Sequence, residues 1–242
     1  MFSLKHIIIL CVSVFLIVGL VFLTKKWEFK KQCKAFLIVG LISEVVKIFF
    51  YIVKNEEKFH GILPKTDLPF HLCSIQLLFI IFVLFAKNEK IKEAIISFMF
   101  PSCLIGGAAA LLIPTTSAMN YWIITFQYFI YHIMIIVFAI NLVLSKERKF
   151  TVKNYIYCLV FLLVLMFVSI YVNSILYDGT QSVNFMYVVA PPQEGLPFLT
   201  IEHGWFVYIM HYALLVITCV TLCYIKPIIV AIKNKSKQKI TN

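Results

Sequence analysis

A histidine, a cysteine and a glutamine stand within six residues of one another: His71, Cys73 and Gln76, in the stretch LPFHLCSIQ. An unbroken apolar run, Leu77 to Ala86, follows. A thiol facing an imidazole across helices is a nucleophile with its base. The imidazole raises the thiolate fraction, and nearby amides steady a developing oxyanion. A second polar set, Gln127, Tyr128 and His132, is also embedded in apolar sequence, as are Glu44, Lys47 and His211. Helices advance about 100° per residue, so Cys73 and Gln76 share one side of theirs, with His71 and Ser74 on an adjoining side. Thr125, Tyr128 and His132 form one stripe of the next polar helix, and Gln127 and Tyr131 another. Cys73, His132 and His71 are therefore the candidate catalytic groups. Gln76, Gln127, Tyr128, Asn184, Tyr187, His211, Glu44 and Lys47 are the candidate substrate-binding groups. No local nucleophile motif such as G-x-S-x-G accompanies them, and a buried cysteine also serves as a small inert apolar residue.

The elements that position these groups follow from composition. The 242 residues are 62% hydrophobic and 14% charged, with mean hydropathy +0.94. A soluble domain is nearer half apolar and a quarter charged, so the expected fold is all-α: one polytopic membrane domain, 1–242. Seven apolar runs of spanning length occur at about 6–24, 33–53, 68–86, 92–113, 121–145, 154–177 and 204–226. The first is too long for a signal-peptide core and lacks a small-x-small cleavage site, so it reads as a retained helix. Asp67 and Pro69 suit the N-cap and first turn of the third helix.

The formal net charge of +11 sits between the apolar runs. Topology explains it, and nucleic acid is not an expected partner. With the N-terminus outside, seventeen Lys and Arg fall on the inner side, in segments 25–34, 87–92, 146–153 and 226–239. Only Lys5, Lys54, Lys58 and Lys65 fall outside. The bias predicts a cytoplasmic C-terminus, with the basic tail near anionic lipid. The seven cysteines show no C-x-x-C and no metal spacing, so no disulfide, zinc or other cofactor is expected.

Direction sets depth. His71, Cys73, Gln76, Gln127, Tyr128, His132, Lys47 and His211 fall in the outer halves of their spans, Glu44 falls at the middle of its span, and the inner halves read as nearly pure apolar. Polar groups inside spans are costly and usually face a bundle interior or wet cavity. The pattern predicts one outward-facing polar cavity, lined by the second, third, fifth, sixth and seventh spans. The long outer loop 178–203 would roof it. Glu44 and Lys47 also suit a simple i,i+3 pair. His6 and His60 read as interfacial. Gly106 to Ala110 suit close helix packing.

Four stretches, in order, resemble a known family. LPFHLC, GGAAALLIP followed by NYW, FQYFIYHIMII and NFMYVVAPP are similar to segments of the YwaF family of bacterial integral membrane proteins. These are relatives of eukaryotic transmembrane protein 164. The resemblance implies a seven-helix protein of the cell membrane. Through the eukaryotic relative it also implies a cysteine-dependent acyltransferase acting on phospholipids. Cys73 would then be the acyl-accepting thiol and His132 or His71 its base. Membrane lipids, including a phospholipid or acyl substrate, would be the partners. Two rivals share the same residues. In a transporter, Glu44, Lys47 and the histidines would line a path, although no inverted repeat is visible. In a non-catalytic protein, the cavity would only bind a small ligand.

Overall fold

A computed structural model describes residues 3–54, 63–114, 116–145, 150–179, 183–193, 195–196 and 198–241. Lys58, His60, residues 146–149 of the basic segment 146–153 and residues 180–182, 194 and 197 of the 178–203 loop lie outside them. Among the described residues every regular element is helical: α1 Leu4–Thr24, α2 Phe29–Lys54, α3 Leu72–Phe85, α4 Glu89–Leu112, α5 Thr116–Asn120, α6 Trp122–Leu144, α7 Val152–Leu176, α8 Trp205–Cys223 and α9 Ile225–Thr241. Two short 3-10 turns, Lys65–Asp67 and Phe185–Tyr187, complete the set.

Six helices, α1, α2, α4, α6, α7 and α8, are long and apolar enough to cross a membrane. The third segment differs from expectation. Asp67 closes the 3-10 turn rather than capping a helix, and Leu68 is extended at φ −63°, ψ 150°. Proline pushes its predecessor out of the helical region, so Pro69 holds the helix back until Leu72, with His71 as N-cap. The resulting 14-residue α3 is about 21 Å long, short of the roughly 30 Å hydrocarbon core. The last segment also differs, because α8 stops at Cys223 and α9 starts two residues later.

The layout follows from burial. The apolar windows of α4 and α6 are each 61% buried, against 6% for α1 and 17% for α7 and α8. The first two form the centre, and the others turn a broad apolar face outward to lipid. α1, α2 and α5 pack on α6, while α3, α7 and α8 pack on α4. The central pair meets closely at Gly107, where a Cβ would lie 2.6 Å from Ile136. The expected small-residue seam is thus an α4–α6 contact. Gly40 does the same for α2 against Leu77 of α3.

Helix starts are capped conventionally. Ser3 accepts from the His6 amide, Asn88 from Lys90 and Ile91, and Thr151 forms a capping box with Asn154. More unusual is the treatment of carbonyls that lose their partners to proline. Pro101 lies inside α4 and has no N–H for the carbonyl of Ser97, four residues earlier. The Tyr224 hydroxyl, at the α8–α9 junction, donates to that carbonyl at 2.7 Å. Pro114 likewise leaves the Ala110 carbonyl open, and the Tyr128 hydroxyl fills it at 3.1 Å. His6 Nε2 bonds the next carbonyl, Leu111, at 2.9 Å. His6 is therefore 2% exposed and part of the α1–α4 joint.

Buried polar groups are also not confined to the α3-start end. Near the Asn154 end, Asn154 Nδ2 donates to Glu93 at 3.0 Å and Ser97 Oγ at 2.8 Å. Asn141 Nδ2 donates to Thr24 at 2.7 Å. Sequence depth missed these because serine, threonine and asparagine satisfy one another between helices at small cost. Removing the Tyr224 hydroxyl should orphan the Ser97 carbonyl. Tyr224→Phe is expected to cost about 1–3 kcal/mol, lowering the unfolding midpoint of detergent-purified protein well below that of Tyr171→Phe, whose side chain faces lipid.

Candidate functional site

The site is built where α3 starts. Because Leu68 is extended and the chain turns at Pro69, where the Phe70 amide donates to the Leu68 carbonyl at 2.8 Å, His71 and Cys73 emerge at the start of a short helix rather than deep in a long one. Lys47 of α2 meets Glu44 at 2.8 Å and donates to the Asp67 carbonyl at 3.2 Å. Both side chains are shielded, at 12% and 23% exposure. The pair ties α2 to the turn that precedes α3. The Asp67 carboxylate is reached by the Tyr51 and Thr66 side chains. Burial pushes its pKa up, against the opposing pull of Lys47.

The His71 ring lies against the Thr66 backbone and packs on two rings of the 185–187 turn. Its centroid is 5.0 Å from Phe185 and 5.7 Å from Tyr187. Cys73 lies in electrostatic range of Lys47, Cys103, Tyr131 and Tyr187. Tyr131 donates to the Cys73 carbonyl at 2.7 Å. Burial first, and Cys73 second, push the Tyr187 phenol up to about 12, so it is a neutral donor at physiological pH.

The segment around Tyr187 is a strap held from both ends. Asn173 of α7 accepts from the Phe185 amide at 2.9 Å and donates to its carbonyl at 3.2 Å. Asn184 accepts from the Val189 amide at 3.1 Å and donates to the Ala190 carbonyl at 2.7 Å. Met186 and Tyr187 have φ of 55° and 53°, uncommon for residues with side chains. Three donors on α8 stabilise that conformation. Tyr212 donates to the Met186 carbonyl at 2.8 Å, Tyr208 to Tyr187, and Trp205 Nε1 to Val188 at 2.8 Å. Positions 205, 208 and 212 lie on one helix face, so successive carbonyls meet successive turns of α8.

Cys73 and His132 are not joined. His132 is 3% exposed, and its Nδ1 bonds the Tyr128 carbonyl at 2.6 Å. Its Nε2 has no hydrogen-bond partner among the described residues. The reason is helical phase. Tyr131, one residue earlier, is the group that faces α3, whereas Tyr128 and His132 face the α4 side. Gln127 is tied to Ser43 of α2 at 2.5 Å. Gln76 is fully buried and donates to Ser102 at 2.9 Å and to the Leu72 carbonyl at 3.1 Å, its Oε1 without a partner among the described residues. Asn184 is occupied by its own loop. His211 is on the exposed face of α8, while neighbouring Tyr212 reaches the strap.

Ring contact thus joins His71 to Tyr187, and Lys47 is bonded to Glu44 and the Asp67 carbonyl, while His132 and Tyr128 bond carbonyls of α6 and α4 and His211 lies on the exposed face of α8. Asp67 and Tyr51 also meet the Lys47–Glu44 pair, although the sequence marked Asp67 only as a helix cap and did not mark Tyr51. The readable signal was the Trp205, Tyr208, Tyr212 spacing, which marks one polar stripe on an apolar helix.

A family model described as the TMEM164 family matches residues 1–224. No curated protein and no solved structure matches the chain. The double bond from Asn173 makes the strap's anchorage testable. Asn173→Ala should speed hydrogen exchange at the Phe185 amide by about tenfold or more, a cost of at least about 1.4 kcal/mol, with α4 amides unchanged.

Proposed function

The chain belongs to the TMEM164 family of membrane proteins, and we propose that it transfers or hydrolyses lipid acyl groups at the start of α3, with Cys73 as the thiol. The observation that supports this reading is the position of Tyr187. Its ring packs on His71, and Cys73 acts electrostatically on its phenol, which supports reading imidazole, thiol and a neutral donor as one site. His71 is the better base than His132, whose ring is engaged on another helix face.

In this scheme the Cys73 thiol attacks the ester carbonyl of a phospholipid, and His71 takes the thiol proton. The oxyanion accepts a hydrogen bond from Tyr187. Collapse breaks the ester bond, the proton passes to the leaving alkoxide, and a thioester remains on Cys73. Water or a second lysolipid then attacks the thioester and restores the thiol. The Lys and Arg asymmetry supports placing this end in the outer half of the cell membrane, with the C-terminus in the cytoplasm.

One observation favours a second reading, ligand binding without catalysis: among the described residues Cys73 has no hydrogen bond to an imidazole, and the Gln76 and Gln127 amides are bonded inside the bundle. Incubating purified protein with a phospholipid carrying an alkyne-tagged acyl chain separates the two. Acyl transfer predicts a hydroxylamine-sensitive label that Cys73→Ala abolishes and His71→Ala slows by about 100-fold or more. Retained lipid binding with no label on Cys73 favours the binder. A C-terminal fluorescent fusion should be bright and a C-terminal phosphatase fusion inactive; the reverse would refute the orientation.

A further inference from the structure

Behind the strap lies a cleft of about 370 Å³ that contains none of the groups assigned above to catalysis. One wall is a single face of α7, formed by Ile170, Asn173, Ser174 and Tyr177 at i, i+3, i+4 and i+7 spacing. Val183, Val188 and Val189 form the strap wall, and Trp205 closes the α8 side. The strap therefore has two working faces. Tyr187 packs on His71, and the two valines that follow it line the cleft.

We infer that this cleft holds one acyl chain of a membrane lipid, and that the chain buttresses the strap from behind. Three observations carry the inference. First, three of the four polar side chains of the walls, Asn173, Ser174 and Trp205, are already used. Asn173 is bonded twice to Phe185, the Ser174 hydroxyl donates to the Ile170 carbonyl at 2.8 Å, and Trp205 Nε1 donates to Val188. A polar solute would find little to replace its hydration, whereas a hydrocarbon chain covers the Ile and Val surface at no such cost. Second, the helices on either side are faced with exposed apolar groups. On α7 Phe167 is 53%, Tyr171 70% and Ile175 79% exposed; on α8 Phe206 is 70% and Met210 55% exposed. In a bilayer only lipid covers those faces, so lipid chains are what reaches the opening between them. Third, the size fits one chain. The volume is near the lower end of ligand pockets, about 300–1,000 Å³, too small for a whole phospholipid. Tyr177, 60% exposed, lines the cleft as its most open polar side chain.

This site is independent of the acyl-transfer reading, because it uses neither Cys73 nor His71. The test uses the full chain in phosphatidylcholine vesicles doped with a phosphatidylcholine that carries a diazirine in its acyl chain. Mapping of the photo-adducts should find Ile170, Val188 or Val189. Ser174→Phe and, separately, Val189→Phe should each reduce those adducts by about tenfold. Adducts on Ile175 and Phe206 should stay constant in both variants, which also reports that the bundle is folded. Adducts confined to the outward faces overturn the inference, as do cleft adducts that neither filling variant reduces. The outcome does not depend on whether Cys73 is acylated.

Discussion

An unpartnered backbone carbonyl inside hydrocarbon has no water to turn to, and this constraint governs the whole bundle. Two prolines and one non-helical strap create such carbonyls, and in each case an aromatic side chain with a donor answers. Tyr224 serves Ser97 where Pro101 interrupts α4, and Tyr128 serves Ala110 before Pro114. Trp205, Tyr208 and Tyr212 serve three consecutive strap carbonyls. Each donor belongs to a different element from the carbonyl it satisfies. The repair of a local defect is therefore also a tertiary joint, and removing the donor loosens two elements at once.

The same constraint changes how polar residues in this chain are read. A tyrosine, histidine or asparagine within an apolar run reads as a candidate for chemistry because its burial costs free energy. Here Tyr128, His6, Asn173 and Asn184 spend that cost on backbone groups. What remains near the start of α3 is a smaller set: the Lys47–Glu44 pair, His71, Cys73 and Tyr187. Their arrangement rests on Pro69, which shortens α3, and on the strap, which carries Tyr187 back over the helix start.

The two central helices explain why the rest can be so exposed. α4 and α6 are packed closely enough at Gly107 that no side chain fits there, and they supply most of the interior. α1, α7 and α8 contribute one face each and leave the other to lipid. The strap and the cleft behind it lie between two such lipid-facing helices, so the bilayer is in effect part of the site's wall.

Hydropathy alone carried the architecture. Seven apolar stretches, the small-residue seam at Gly106 to Ala110 and the Glu44–Lys47 pair are all present in local sequence, because lipid solvation and i,i+3 geometry are local properties. The family was legible too, through short motifs in the right order. Which polar groups meet was not. His132 and Tyr131 are adjacent in sequence, yet one turn-fraction of helical phase sends them to different neighbours, and only Tyr131 reaches Cys73. Gln76 faces Ser102 because α3 packs on α4 at that level, a matter of how the helices cross. The strap is the clearest case. Its φ values and its two faces depend on donors contributed by α7 and α8, from before and after it in the chain, and only their convergence in space decides where Tyr187 points.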